Sequence, residues 1–312
     1  MPLPATGTPA LPTTYAAAAS SATTTCSFTD EGAFTVVGRI FDAHDGYSDD
    51  PTTVVVNDVA PVVRISSPTY DQLIPVATAG GTASVAVNAP FTDAGTADAH
   101  TCTVQWDAPL SPVAGNVNET VGSGTGACSA TNALSPGVYR ITVKVQDSDG
   151  TLAGTASTEV IVYDPSSGFV TGGGWINSPA GAMPSNPTAT GKANFGFVSK
   201  YQKGATVPTG ETAFQFQVGN LDFHSNAYSV LVISGSMAQY RGTGTINGVG
   251  TYNFILTARD GDMNGGTTPD GFRMKITDSS GAVVYDNKAG TTNDMTSGNT
   301  QNIAGGDIKI HS

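Results

Sequence analysis

An all-β protein of tandem β-sandwiches is predicted for this chain on three observations: a paragraph of sequence written twice, apolar residues that alternate with period two, and an acid content made almost wholly of aspartate. The repeat runs from Cys26 through Gly32, Phe34, Val36, Gly38 and Ile40 to Asp42 and Asp45-Gly46. It runs again from Cys128 through Gly137, Tyr139, Ile141, Val143 and Val145 to Asp147 and Asp149-Gly150. Each copy leads into a valine strand, Val54 to Val56 and Val160 to Val162, 106 residues apart. A period of that size is a whole domain, not a solenoid unit. The chain holds 21 Asp against 4 Glu, with 38 Gly and 18 Pro as punctuation. Glu favours helix, whereas Asp serves turns and hard-cation sites, so the imbalance argues against helix.

The first element is a lead of Pro, Thr, Ala and Ser over residues 1 to 25, read as a remnant strand or a disordered arm. From Ala33 the strand period begins, with Phe34, Val36, Gly38 and Ile40 on a face expected to be buried and Thr35, Val37 and Arg39 on the other. A turn over Asp42 to Asp50 then feeds a last strand, Thr52 to Asp58. Residues 1–59 are thus expected to be the second half of a truncated sandwich, with the missing half, and an export signal, upstream. Residues 60–165 are expected to be complete. Val63 and Ile65, then Val85 and Val87, open the unit; Cys102, Val104 and Trp106 face inward and Thr101, Thr103 and Gln105 outward; strands at Tyr139 to Val145 and Thr158 to Val162 close it. About seven short strands in roughly 100 residues suit an immunoglobulin-like sandwich, with Trp106 as core tryptophan and Tyr139 as corner tyrosine.

The stretch Phe91-Thr92-Asp93-Ala94-Gly95-Thr96-Ala97-Asp98-Ala99-His100-Thr101, the strand to Trp106-Asp107, and Gly137-Val138-Tyr139 through Asp147-Ser148-Asp149-Gly150 resemble bacterial PKD domains over most of residues 61–164. The chain departs from that family at its Trp-Asp-x-Gly-Asp-Gly turn, where Trp106-Asp107-Ala108-Pro109-Leu110 stands. Residues 26–58 look like the tail of another copy.

Past Asp164-Pro165, a third block over residues 166–312 also reads as strands: Ala193 to Val198, Phe214 to Val218, Tyr228 to Ile233, Tyr252 to Leu256, Phe272 to Ile276 and Ile308 to Ile310. Asn247-Gly248 is the two-residue hairpin signal between two of them. A second sandwich or a flattened barrel is expected. Gly172-Gly173-Gly174-Trp175-Ile176, Asn194-Phe195-Gly196-Phe197, Asp260-Gly261 and Gly305-Gly306-Asp307-Ile308-Lys309-Ile310-His311 resemble the post-COAP module of secreted bacterial proteins, which implies location and architecture and no activity.

With a net charge of −12 and 13 basic residues scattered along the chain, nucleic acid and anionic lipid are poor partners. No apolar run reaches the length that crosses a bilayer. Of three cysteines, Cys102 and Cys128 are expected to form a disulfide and Cys26 to be free. Asp260-Gly261-Asp262-Met263-Asn264-Gly265, followed by Asp270, matches the opening of a calcium loop, although position twelve is Gly271 where an EF-hand has Glu. Asp260, Asp262, Asn264 and Asp270 are therefore candidate calcium ligands, and a polar turn between two strands is the competing reading. Weaker acidic groups are Asp42, Asp45, Asp49 and Asp50, and Asp147 with Asp149, helped by Asp93 and Asp98 if those loops meet at one pole. His44, His100, His224 and His311 show no metal-ligand spacing, and no nucleophile elbow, phosphate loop or dinucleotide fingerprint occurs. Trp175, Tyr201, Tyr228 and Tyr240 are the candidate ligand-stacking aromatics, Trp175 and Tyr240 foremost among them, and packing in a core or interface is the competing reading. The function expected is a non-enzymatic, secreted or cell-surface adhesion-type protein. In it, spacer sandwiches present a C-terminal module to an extracellular protein or polysaccharide; the alternative is the carbohydrate-binding region of a larger secreted enzyme.

Overall fold

The computed structural model describes residues 11–18, 25–107, 111–147 and 152–312. Among them the elements are strands, with helix confined to three-residue 3-10 turns. β1 (Gly32–Phe41) and β2 (Tyr47–Val56) pair from Gly32↔Val56 to Phe41↔Tyr47 as a two-stranded sheet of their own. The turn is tighter than expected. Asp42 Oδ1 accepts from the amides of His44 and Gly46 at 2.7 and 2.9 Å, Asp45 takes φ 67°, and β2 starts at Tyr47 rather than Thr52. Asp49 lies within that strand, held by the Arg39 fork at 2.7 and 2.8 Å. The expected buried face is corrected as well. Phe34 is buried beside Phe28, but Ile40 is 78% exposed, so the alternation of this ribbon is not matched by a covering layer over its far end.

The next nine strands are β3 (Val62–Val63), β4 (Gln72–Pro75), β5 (Ala83–Thr92), β6 (His100–Gln105), β7 (Val113–Ala114), β8 (Asn116–Glu119), β9 (Thr125–Leu134), β10 (Gly137–Asp147) and β11 (Ala153–Tyr163). They form a four-stranded sheet, β3-β5-β9-β8, and a five-stranded sheet, β4-β11-β10-β6-β7. β5 alternates buried and exposed at every position, so Val85, Val87, Ala89 and Phe91 all point inward, and on β6 Cys102 and Val104, then Trp106, do the same. Cys102 and Cys128 are bonded, with Cα atoms 6.0 Å apart, joining β6 of one sheet to β9 of the other. Gly115 passes directly over the bridge, where an added Cβ would sit 2.6 Å from Cys102 Sγ. Tyr139 Oη donates to Ser135 O at 2.9 Å, the corner geometry expected of it. By contacts the chain divides into two compact units, one with the chain up to Ser67, Ala86–Ala130 and Thr142–Ser157, the other with Pro68–Val85, Thr131–Ile141 and Thr158–Ser312.

The remaining strands are β12 (Phe169–Ser178), β13 (Gly191–Lys200), β14 (Thr209–Phe216), β15 (Leu221–Ser234), β16 (Met237–Ile246), β17 (Val249–Arg259), β18 (Gly271–Thr277), β19 (Val283–Asp286), β20 (Gln301–Asn302) and β21 (Gly305–His311). They build one ten-stranded sheet in the order β19-β18-β17-β16-β15-β14-β13-β12-β21, with β20 on β18. The sheet rolls over a single aromatic core without closing into a barrel. Phe195 on β13 and Phe272 on β18 stand five strands apart in that order, yet their rings stack at 4.0 Å. Phe214, Phe216, Phe223, Phe254 and Tyr285 fill the space between, all 2% exposed or less. At roughly 1.5–3 kcal/mol for each fully buried large apolar side chain, this core is the main support of the module. Asn247 and Gly248 take φ of 52° and 76°, the left-handed pair that a tight hairpin requires. The glycine run before Trp175 serves packing: a Cβ on Gly172 would meet the Phe197 ring at 2.5 Å, and one on Gly174 would meet Gly305 O at 2.2 Å.

Candidate functional site

The open seam of the rolled sheet lies where β17 ends and β21 runs. β21 pairs with β12 along one edge, which leaves the amides of Ile308 and Ile310 pointing the other way. Two aspartates take them. Asp270 Oδ2 accepts from Ile308 N at 2.7 Å, and Asp260 Oδ2 accepts from Ile310 N at 2.9 Å. Asp270 Oδ1 also accepts from Gly261 N at 2.8 Å, which fixes the loop that carries both residues. Carboxylates thus perform at this seam the role that a backbone ladder would perform in a closed barrel, and they occupy an edge otherwise open to pairing.

The oxygens of Asp260, Asp262 and Asp270 come within 4.8 Å of one another. Asn264 is exposed in a 3-10 turn, with φ 56°. Lys309 Nζ lies 2.5 Å from Asp262 Oδ1, so the cluster already faces one cation. Burial pushes the Asp260 carboxyl up, while the Lys309 bond holds Asp262 below its ordinary range. Oδ1 of Asp260 is buried with no hydrogen-bond partner. Calcium takes six to eight oxygens, and most of the carboxylate oxygens here already serve amides or Lys309.

The second feature went unread in the sequence, where the basic residues look scattered. On β16, β17 and β18 the inward positions Tyr240, Phe254, Leu256, Phe272 and Met274 belong to the core, and the opposite face carries Gln239, Arg241, Thr257, Arg273 and Lys275. Most of these polar side chains are themselves covered: Gln239, Thr257 and Arg273 are 1% exposed or less. Arg241 reaches Asp71 Oδ1 and Glu159 Oε1, each at 2.7 Å, and Arg273 grips Asp286 at 3.0 and 2.8 Å. Lys275 Nζ donates to Asn293 Oδ1 at 3.1 Å, and burial lowers its affinity for the proton. Burial likewise pushes Glu159 up, against the pull of Arg241. Together with Tyr70, Asp71, Asn253 and Asn293, Arg241 and Lys275 line a cavity of about 450 Å³, within the range of small-ligand sites. Tyr70, one of the lining residues, is exposed.

The two foremost candidate aromatics fare differently. Tyr240 is corrected: it is fully buried among Phe197, Tyr228 and Phe254, and its hydroxyl pairs with Thr212 Oγ1 at 2.8 Å, so it offers no face to a ligand. Trp175 is half-buried on β12, with Lys192 Nζ 5.0 Å from its ring centre. Cys26 is free and exposed. His224 is exposed beside Asp222 at 3.3 Å. Asp42, Asp45 and Asp49 are spent on the first hairpin, Asp45 accepting from Tyr15 N at 2.7 Å. Asp149 and the Ala108-Pro109-Leu110 departure lie outside the described residues, whereas Asp93 and Asp147 do meet.

Fold and sites together define an all-β, disulfide-bonded protein whose polar chemistry lies on strand faces and in loops. No family model matches the chain, and no curated protein matches it significantly. None of the helices among the described residues is long and apolar enough to cross a membrane.

Proposed function

We propose that this chain is a non-enzymatic, extracellular binding protein in which PKD-like sandwiches act as spacers and a neutral polysaccharide segment is held in the cavity that Tyr70 and Asp71 line together with Arg241 and Lys275 of the C-terminal β-module, which resembles post-COAP modules. The observation that carries the reading is the cavity itself. Its walls offer amides, a hydroxylated aromatic and an ammonium with a single hydrogen bond, a donor and acceptor set suited to sugar hydroxyls. Charges in and behind it balance, Arg241, Arg273 and Lys275 against Asp71, Glu159 and Asp286, so no strong field selects an ion. Tyr70 supplies a ring for stacking on a pyranose face. The Cys102–Cys128 bond supports an oxidising compartment.

Affinity electrophoresis of the full chain through gels containing neutral polysaccharides tests this. Retardation that vanishes in Tyr70→Ala and survives added salt is expected; equal mobility in every gel would sink it. Calcium at Asp260, Asp262, Asn264 and Asp270 joins the proposal as a stabilising ion. The buried, unpartnered Asp260 Oδ1 favours it, and binding would require Lys309 to leave Asp262. A calcium-dependent rise in melting temperature that is lost in Asp262→Ala is the outcome that would support it.

A further inference from the structure

At one pole of the sandwich four side chains from both sheets converge. Asp93 follows β5, Glu119 ends β8, His100 begins β6 and Asp147 ends β10. His100 Nδ1 lies 2.6 Å from Glu119 Oε2, and Glu119 Oε1 accepts from the His100 amide at 2.9 Å. The other ring nitrogen, Nε2, lies 2.9 Å from Asp93 Oδ2 and 3.3 Å from Asp147 Oδ1. The side chains of Asp93, His100 and Asp147 are 2% exposed or less.

Three acids around one imidazole leave this pocket short of positive charge, and one residue shows it most. Asp147 is 3% exposed as a residue and neither carboxylate oxygen has a hydrogen-bond partner. Both point into the cluster's shortage: a single Nε2 hydrogen serves one acceptor, and Asp93 is the nearer. A buried carboxylate without donors is costly unless it takes up a proton or a cation faces it.

The geometry fits one ion. Ligands ~2.0–2.2 Å from a tetrahedral centre stand roughly 3.3–3.6 Å from each other; the Nε2 to Asp147 separation of 3.3 Å already meets that value, and Nε2 and Asp93, at 2.9 Å, need part by only a few tenths of an ångström to admit the ion. One ligand atom from each of Asp93, His100 and Asp147 lies within 4.8 Å of the others. Glu119 completes a carboxylate–histidine–metal arrangement: when a metal takes the place of the Nε2 hydrogen, the remaining hydrogen sits on Nδ1, Glu119 accepts it, and the Nε2 lone pair is directed at the site. An imidazole with two carboxylates suits zinc-class ions, whereas calcium and magnesium prefer all-oxygen sets. We propose that Asp93, His100 and Asp147 bind a divalent transition-metal ion of the zinc class, with Glu119 as the orienting residue, and that the ion ties the two sheets together at this pole.

The test uses the untagged full chain, stripped with a chelator and titrated with zinc chloride by calorimetry and with cobalt chloride by visible absorbance. One zinc per chain, cobalt bands of a low-symmetry site and a raised melting temperature are expected. Asp147→Asn keeps the shape and removes the charge; it should abolish both signals while leaving the metal-free protein as stable as before or more so. Glu119→Gln should weaken zinc by about 10–100-fold. Asp260→Asn should leave zinc binding unchanged, which separates this site from the C-terminal loop. The assignment is overturned if wild type takes up neither zinc nor cobalt, if Asp147→Asn binds as wild type does, or if calcium alone binds here.

Discussion

Replacing Asp270 by Ala should loosen the seam of the rolled sheet more than any other single change in its loop. The substitution removes two charge-assisted hydrogen bonds, from Ile308 N at 2.7 Å and from Gly261 N at 2.8 Å. Bonds to charged groups contribute about 1.5–3 kcal/mol each, so the loss should be at least about 3 kcal/mol. Asp270→Asn keeps one acceptor oxygen and should lose about half as much. Trp175 reports locally, because β12 carries it opposite Gly305 of β21. Urea unfolding followed by its fluorescence in a Trp106→Phe background isolates this module from the sandwich. Amide exchange should show Ile308 opening first, with Ile310, still held by Asp260, less affected. A change under about 0.5 kcal/mol, the usual range of a neutral surface substitution, would refute the seam reasoning.

Further outcomes follow from particular contacts. Breaking the buried Arg273–Asp286 pair with Asp286→Ala should cost about 3–5 kcal/mol, while Arg273→Met with Asp286→Leu should recover most of that loss, as a double-mutant cycle would read. Removing Cys102 and Cys128 together should cost about 3 kcal/mol, from a loop spanning 26 positions, measured as a fall in the sandwich's urea midpoint. Burial pushes Asp164 up, but hydrogen bonds from Gly80 N at 2.7 Å and from Ser166 outweigh it and hold the carboxyl below its ordinary 3.8. Its contribution is therefore present above that value and lost as pH falls through the lower folded value, so Asp164→Asn should flatten the acid limb of the stability curve. Tyr240→Phe should leave polysaccharide retention unchanged, since the ring is enclosed in the core.

Much of the fold is legible because a strand with one apolar neighbour layer writes its period into the chain. β5 and β6 show that period without a fault, and Asn247-Gly248 announces its hairpin. β16 hid because both of its faces are covered: Tyr240 packs in the aromatic core, while Gln239 and Arg241 are buried on the opposite side by polar partners. Arg241 beside Gly242 thus reads as a surface, and Tyr240 as an exposed ring, when both sit inside. The first ribbon misleads in the opposite sense, since Ile40 keeps the alternation with no cover over it. The aspartates of the 260–270 loop spell a cation motif at short range, but their amide partners Ile308 and Ile310 lie some forty to fifty residues away and only the fold brings them together. The same distance effect hid the pole of Asp93, His100, Glu119 and Asp147, whose members sit on four different strand ends.

The proposed binding role rests on the Tyr70 cavity, and calorimetric titration of a neutral oligosaccharide that retards the full chain tests it most directly. Saturable heat in wild type, nearly independent of salt and lost in both Tyr70→Ala and Lys275→Met, is the expected result. Heat that persists unchanged in both variants would place the ligand elsewhere and contradict the assignment.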